Sequence, residues 1–284
     1  MTMSQRFRPA VPPLAVAQLL RQFGLRPKKS LGQNFLQDPS LLEAIVQAAE
    51  IQPTDWVLEI GPGLGSLTRH LANAAQHVIA VEIDETFFPI LEQVLAPWEN
   101  VRLIRGDILR LSPASLIPVE NYLVVANIPY FITSALIRHL LEASHKPRRM
   151  VLTVQKEVAE RICAQPGTMN LLALSVQVYG QPSIVLRIPA GAFYPPPKVD
   201  SAVVRIDLYE KPLLPQEQLE RFFQVIRAGF SQKRKTLRNA LAHGLGMSAR
   251  EVESWLLQAG IPPHRRAETL SLEEWAKLVE ANFP

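Results

Sequence analysis

The feature that most constrains this chain is an alternation, through its first half, of short apolar runs with amphipathic stretches. "WVLEIG" (56–61), "HVIAVEID" (77–84), "VRLIRGD" (101–107), "YLVVAN" (122–127) and "RMVLTVQ" (149–155) are each short and rich in Val, Ile and Leu. Each of these runs reads as a strand, and Leu123 to Ala126 as a buried one. Helical patterns follow the first through about residue 75, the second beyond residue 84, and the fourth over about 131–143. Strands separated by helices argue for an α/β fold with a parallel, doubly wound sheet. Three later runs, at about 172–179, 183–188 and 200–208, lack helices of that length between them and suit an antiparallel edge.

The flanks differ in character. Upstream, residues 14–23 read as a short helix and "RPKKSLGQNFLQ" (26–37) as a basic loop. Asp38 can cap the next helix, with Pro39 at its first position and Leu41, Leu42, Ile45, Val46 and Ala49 on its apolar face. Downstream, Pro212 and Pro215 mark a linker. Helical patterns then cover about 216–230, 232–243, 248–259 and 271–282, as expected of a smaller all-α domain. The expected division is a basic N-terminal segment (1–37), an α/β domain (38–209) and a helical C-terminal domain (210–284).

Charge follows the same division. Residues 1–37 hold six Lys/Arg and no Asp/Glu, residues 38–210 thirteen against eighteen, and residues 211–284 eleven against eight. Basic ends around a mildly acidic centre suit a polyanion, and equally an ordinary solvated surface. No apolar run reaches the roughly 18–20 residues a membrane span needs. Pro9, Pro12, Pro13 and Gln18 interrupt any secretory signal, so a cytoplasmic location is expected. The one cysteine, Cys163, reads as a small core hydrophobe, and no Cys/His cluster has metal-ligand spacing.

"LEIGPGLGSLTRHL" puts Gly61, Gly63 and Gly65 between a strand and a helix, where backbone amides can approach a ligand. The spacing is not G-x-G-x-x-G, because the third glycine of that pattern would fall at Ser66. Glu82 ends the second strand, 21 residues after Gly61, where a carboxylate can accept ribose hydroxyls. Asp107 ends the third and could accept from an adenine amino group. Glu59 could hold the turn or face an ammonium. A nicotinamide cofactor and S-adenosylmethionine both fit this set; Gly-Pro-Gly-x-Gly and the Asp107 position favour the second.

The fourth strand ends in Asn127-Ile128-Pro129-Tyr130. Methylating an exocyclic amine requires its lone pair to be drawn out of the ring. An Asn side-chain oxygen and a nearby backbone carbonyl can accept the two N–H hydrogens. Proline stiffens the turn, and an aromatic ring can stack on the base. A sulfonium leaving group needs no strong base, so positioning can carry most of the rate. A simple proline turn with Tyr130 in the core is the structural alternative.

With these residues in place, the chain resembles the amino-methyltransferases that carry Asn-x-Pro-Tyr, and more narrowly the ribosomal RNA small-subunit adenine N6-dimethyltransferase family. "KKSLGQNFL" (28–36), "EIGPGLGSLT" (59–68), "NIPY" (127–130), "QKEVAERI" (155–162), "AFYPPPKVDSAVVR" (192–205) and "FSQKRKTLRNAL" (230–241) carry the resemblance. It implies a Rossmann-like class I methyltransferase sheet and S-adenosylmethionine as methyl donor. The implied substrate is N6 of two adjacent adenosines in the 3′-terminal hairpin of small-subunit rRNA, within a maturing particle. It implies cofactor contacts from Gln33, Asn34, Leu36, Gly61, Gly63, Gly65, Glu82, Asp107, Ile108 and Asn127, with Glu59 nearby. Asn127, Pro129 and Tyr130 would form the catalytic turn, with Phe193 as the second aromatic around the adenine. Lys233, Arg234, Lys235 and Arg238, read as one helical cluster, would face RNA, helped by Lys28 and Lys29. Monomeric action and no metal are expected. One departure stands at Leu171-Leu172, where the family commonly has Tyr-Gly, and it bears on the local loop path. Relatives that methylate large-subunit rRNA, and non-catalytic organellar transcription factors, are the alternatives; the intact Gly61–Gly65 and Asn127–Tyr130 segments argue against lost catalysis.

Overall fold

The structure is a computed structural model describing residues 11–281. Residues 1–10, with Pro9, and 282–284, with the last position of the expected terminal helix, lie outside the described residues. The chain divides into two compact units, residues up to 159 with 183–208, and residues 160–182 with 209 onward. This differs from the linear division expected above, because residues 160–182 group with the C-terminal helices.

The first unit is built on a sheet. In chain order its strands are β1 (Phe35–Leu36), β2 (Trp56–Ile60), β3 (His77–Glu82), β4 (Val101–Arg105), β5 (Leu123–Asn127), β6 (Arg149–Gln155), β7 (Gly180–Ile188), β8 (Phe193–Tyr194) and β9 (Ser201–Leu208). Seven of them form one sheet in the order β4-β3-β2-β5-β6-β9-β7. β4, β3, β2, β5 and β6 are mutually parallel, and β9 runs antiparallel to β6. The order reverses between β2 and β5, so a crevice opens beyond their carboxyl ends.

Helices α1 (Val16–Gln22), α2 (Pro39–Ala49), α3 (Ser66–Ala74), α4 (Phe88–Leu95), α5 (Pro113–Leu116) and α6 (Thr133–Glu142) accompany this sheet. Asp38 caps α2 as expected, accepting from the Ser40 N–H. Leu42, Ile45 and Ala49 of α2 and Leu67 and Leu71 of α3 pack with Val57, Val78, Leu123 and Val151 of the strands. That covering accounts for the continuously buried runs of β2, β3, β5 and β6; β4, at the edge of the sheet, instead leaves Arg102 and Arg105 exposed. A second cluster joins Val16 and Leu20 of α1 to Phe35, Leu64, Phe87 and α4. The basic loop is therefore more structured than expected. It contains a short 3-10 turn, Lys29–Leu31, and then β1, which pairs antiparallel with β8.

Helix α7 (Lys156–Ile162) follows β6. The second unit contains α8 (Leu171–Gln177), α9 (Gln216–Gly229), α10 (Leu237–Leu245), α11 (Ala249–Gln258) and α12 (Leu272–Glu280). Its core holds Trp255, Trp275, Phe222, Leu237 and Leu241, all fully buried. Ser248 with Glu251, and Ser271 with Glu274, form reciprocal capping boxes at the starts of α11 and α12. α10 approaches α9 so closely that a Cβ on Gly244 would lie 2.7 Å from the Ala228 backbone.

Two expectations are corrected here. Residues 171–177 form a helix, not a strand. Asn170 accepts from the Ala173 N–H and so nucleates a first turn, which apolar content alone could not reveal. Leu171 and Leu172, the family departure, occupy that turn. The segment Lys233–Lys235 is a turn rather than helix, because α10 starts only at Leu237, after its N-cap Thr236.

Candidate active site

A cavity of about 360 Å³ lies at the carboxyl ends of β2, β3 and β5, at the reversal in strand order. Strand ends deliver most of its wall, since parallel neighbours in register finish side by side. Gln33, Asn34, Leu36, Glu59, Gly61, Gly63, Glu82, Asp107, Ile108, Asn127, Pro129 and Tyr130 all line it. Gly65 does not; with φ of +85° it serves as N-cap of α3.

The glycine turn has a physical requirement at Gly63. Its φ is +58°, and a Cβ there would lie 2.9 Å from the Phe35 ring. The Gly63 N–H donates to Glu82 Oε2 at 3.0 Å, and the Asp84 N–H donates to Oε1 at 2.8 Å. Glu82 thus ties the turn to β3, with the Ile83 N–H as a third backbone donor to its carboxylate. Burial raises its pKa, and these backbone donors pull it back.

Glu59 is 1% exposed. Burial pushes its pKa up to about 8, and the negative charge of Glu82 adds to the rise. The Thr68 hydroxyl is near enough to pull the other way but falls outside hydrogen-bond geometry. Glu59 Oε2, Ser66 Oγ and Thr68 Oγ1 are buried without partners. Glu59 and Ser66, unlike Thr68, line the cavity, and buried orphans at a cavity wall are what a polar, cationic ligand would satisfy. Asp107 caps a short 3-10 turn through Oδ1, accepting from the Leu109 N–H. Its Oδ2 stands 3.5 Å from Arg110.

At the end of β5, Asn127 Nδ2 donates to the Asn34 carbonyl at 3.1 Å. That bond consumes a donor and leaves Oδ1 as an acceptor. Pro129 and Tyr130 follow, and the Tyr130 hydroxyl shares a 2.7 Å hydrogen bond with the buried Ser201 hydroxyl. The ring is half-buried, its orientation held from β9.

Several expected residues lie elsewhere or are otherwise engaged. Phe193 is 2% exposed and packs in the core cluster with Leu36, rather than on the cavity wall. Strand alternation in the β1–β8 pair turns Phe193 inward and Tyr194 outward. Lys28 is paired with Asp84 at 2.8 Å, and the Gln33 side chain bonds the same carboxylate, so neither is free. Burial raises the Asp84 pKa, but donors from Lys28, Thr86 and Gln33 outweigh it and hold the group below its usual range. Lys29 is exposed, as are Lys233, Arg234 and Lys235 on their turn. Arg238 is on α10 and pairs with Glu253 at 2.9 Å. Sequence reasoning missed Ser66, Asp84, Ser201 and Phe131. Phe131 lines the cavity and is 66% exposed, the most exposed large apolar side chain among the described residues. An aromatic directly after Asn-x-Pro-Tyr was its available signal.

A family model described as "Ribosomal RNA adenine dimethylase" matches residues 24–282. The chain belongs to the ribosomal RNA adenine dimethylase family. Its similarity to other members runs nearly end to end. It is 49% identical over 262 residues to Ribosomal RNA small subunit methyltransferase A of Dehalococcoides mccartyi, covering 92% of this chain and 90% of the relative. The same-named protein of Moorella thermoacetica is 45% identical over 92% of this chain and 94% of its own length. Among solved structures, the 23S rRNA methyltransferase ErmE superposes with a TM-score of 0.72 at 31% identity, covering 87% of this chain and 98% of that one. The dimethylase sheet and its accompanying helices are therefore those of a class I methyltransferase, as the family resemblance implied.

Proposed function

We propose that this dimethylase methylates N6 of two adjacent adenosines in the 3′-terminal hairpin of small-subunit rRNA, acting as a monomer in the cytoplasm on a partly assembled particle. The observation that carries the reading is the Asn127 amide. Its Nδ2 is held by the Asn34 carbonyl, so that Oδ1 is left to accept from an amine. The substrate assignment leans on the high identity to small-subunit enzymes.

S-adenosylmethionine fits the residues present, and when bound it supplies an electrophilic methyl group on a sulfonium. Glu59 and the Ser66 hydroxyl are the orphaned groups suited to its ammonium end. Glu82 suits its ribose, and Asp107 with Ile108 suits its adenine. Gly61 and Gly63 let the backbone come close, with Gln33, Asn34 and Leu36 closing the wall. Gly65 supports the site from the start of α3.

Asn127 Oδ1 and a neighbouring carbonyl accept the two amine hydrogens and favour a pyramidal nitrogen. Pro129 keeps these acceptors in one geometry. The Tyr130 ring stacks on the target adenine, and Phe193 backs the cavity wall at Leu36 from the core. Phe131, outward of Tyr130, offers a second ring to a flanking base. Exposed Lys29, Lys233, Arg234 and Lys235 suit phosphates better than Lys28 and Arg238, whose charges are already paired.

ErmE is a 23S rRNA methyltransferase, so action on large-subunit RNA is the second reading. Radiolabelled methyl transfer to small subunits lacking the modification, with product nucleosides identified by mass, separates the two. N6-dimethyladenosine in small-subunit RNA is expected. Label confined to large-subunit RNA, or absent despite cofactor binding, would overturn the proposal.

A further inference from the structure

The segment from Lys28 to Leu36 crosses the cavity wall as a strap, and both ends of its first turn close on one carboxylate. Lys28 Nζ donates to Asp84 Oδ1 and Gln33 Nε2 to Asp84 Oδ2, each at 2.8 Å. The Lys28 N–H donates to Gln33 Oε1 at 2.7 Å, so the two partners are also joined to each other. Asp84 is 4% exposed, just beyond β3, and Oδ1 further accepts the Thr86 N–H and hydroxyl. A buried carboxylate with donors on both oxygens is a rigid anchor. The residue after Gln33 is Asn34, whose carbonyl holds Asn127 Nδ2.

Resting on the role given above to Asn127, we propose that Asp84 is a positioning residue. Through Lys28 and Gln33 it sets the strap so that the Asn34 carbonyl fixes which face of the Asn127 amide meets the target amine. The chemistry requires such a device. An asparagine amide turned by 180° exchanges Oδ1 for Nδ2 and presents a donor to a donor. A fixed partner on either end of the amide distinguishes the two states, and here it is an acceptor on Nδ2 from a segment 93 residues away. Without its anchor the strap keeps β1 and the backbone bonds of its first turn, but loses the two side-chain bonds that tie that turn to the end of β3.

Asp84→Asn tests this in the full chain. Asparagine keeps the cap to Thr86 and the volume, and loses the charge and one acceptor. The Asn127 side-chain amide resonance is the direct readout, since one of its hydrogens is bonded to the Asn34 carbonyl in the wild type. Expected are faster exchange of that amide, a kcat for small-subunit RNA lower by about 10- to 100-fold, and KM within about twofold. Lys28→Met, at a half-exposed position, should give a smaller loss of the same kind. The double variant should be no worse than Asp84→Asn alone, because both break one pathway. An unchanged Asn127 resonance with unchanged kcat overturns the proposal. So does a loss of cofactor affinity equal to the loss in kcat, which would make Asp84 a wall support instead. If the wild type failed to methylate small-subunit RNA, the proposed function would fall, while the amide resonance would still report on the anchor.

Discussion

At the scale of single residues, the site depends on which polar atoms are already satisfied. Asn127 Oδ1 is available because Nδ2 is engaged. Asn127→Ala should therefore lower methyl transfer by at least about 100-fold. Thermal unfolding should be almost unchanged, and near-normal activity would remove Asn127 from the mechanism. Glu59 behaves oppositely, with a buried oxygen awaiting a partner. Its folded pKa of about 8 lies above the ordinary glutamate value of 4.5, so the fold holds this proton where the unfolded chain releases it. Its contribution is thus fully present below the lower value, declines as pH rises through this window, and is flat above it. Glu59→Gln should flatten that part of the stability–pH profile. Binding a cationic ligand beside Glu59 should also expel its proton near pH 7. Calorimetry in buffers of different ionisation enthalpy checks this, and ligand binding with no proton release would dissociate Glu59 from the ammonium. Phe131→Ala should weaken RNA binding by about tenfold, the worth of one stacked base.

At the scale of elements, the glycine turn and the basic turn carry different burdens. The Gly61–Gly65 turn is held from three sides, by Glu82, by the Phe35 ring and by the start of α3. The Lys233–Lys235 turn has no such constraint on its side chains, which are exposed. Neutralising Lys233, Arg234 and Lys235 together should weaken RNA binding. The slope of log K against log salt should fall by about 0.7–0.9 for each phosphate that is no longer neutralised. Cofactor affinity should not change; if it fell, these charges act elsewhere than on RNA.

At the scale of the whole molecule, a cavity that binds ligand only when the chain is folded must stabilise the fold. S-adenosylmethionine at 100 times its Kd should add about 2.7 kcal/mol. A rise in Tm of several degrees, dependent on ligand concentration, is the expected outcome in a thermal melt. A Tm unmoved by saturating ligand would argue that the cavity is not its site. No helix among the described residues is long and apolar enough to cross a membrane, and none of their His, Cys, Asp and Glu side chains cluster as a metal site.

Sequence by itself determined the strand–helix rhythm, the glycine turn, the Asp38 cap and the Asn127–Tyr130 turn. Each is a local preference of backbone or burial, readable within a few residues. The parallel sheet followed from that rhythm, because parallel strands need covered faces and crossover helices. Tertiary structure alone decided what the charges and aromatics do. Lys28 reads as a free cation in a basic loop, yet a buried carboxylate 56 residues away takes its charge. Arg238 meets Glu253 across two helices, and Phe193 turns inward because β8 pairs with β1. Residues 171–177 are helical because one side chain caps the first turn, although their apolar content suits a strand equally well. Partner choice depends on distances between segments remote in the chain, and neither periodicity nor composition encodes those distances.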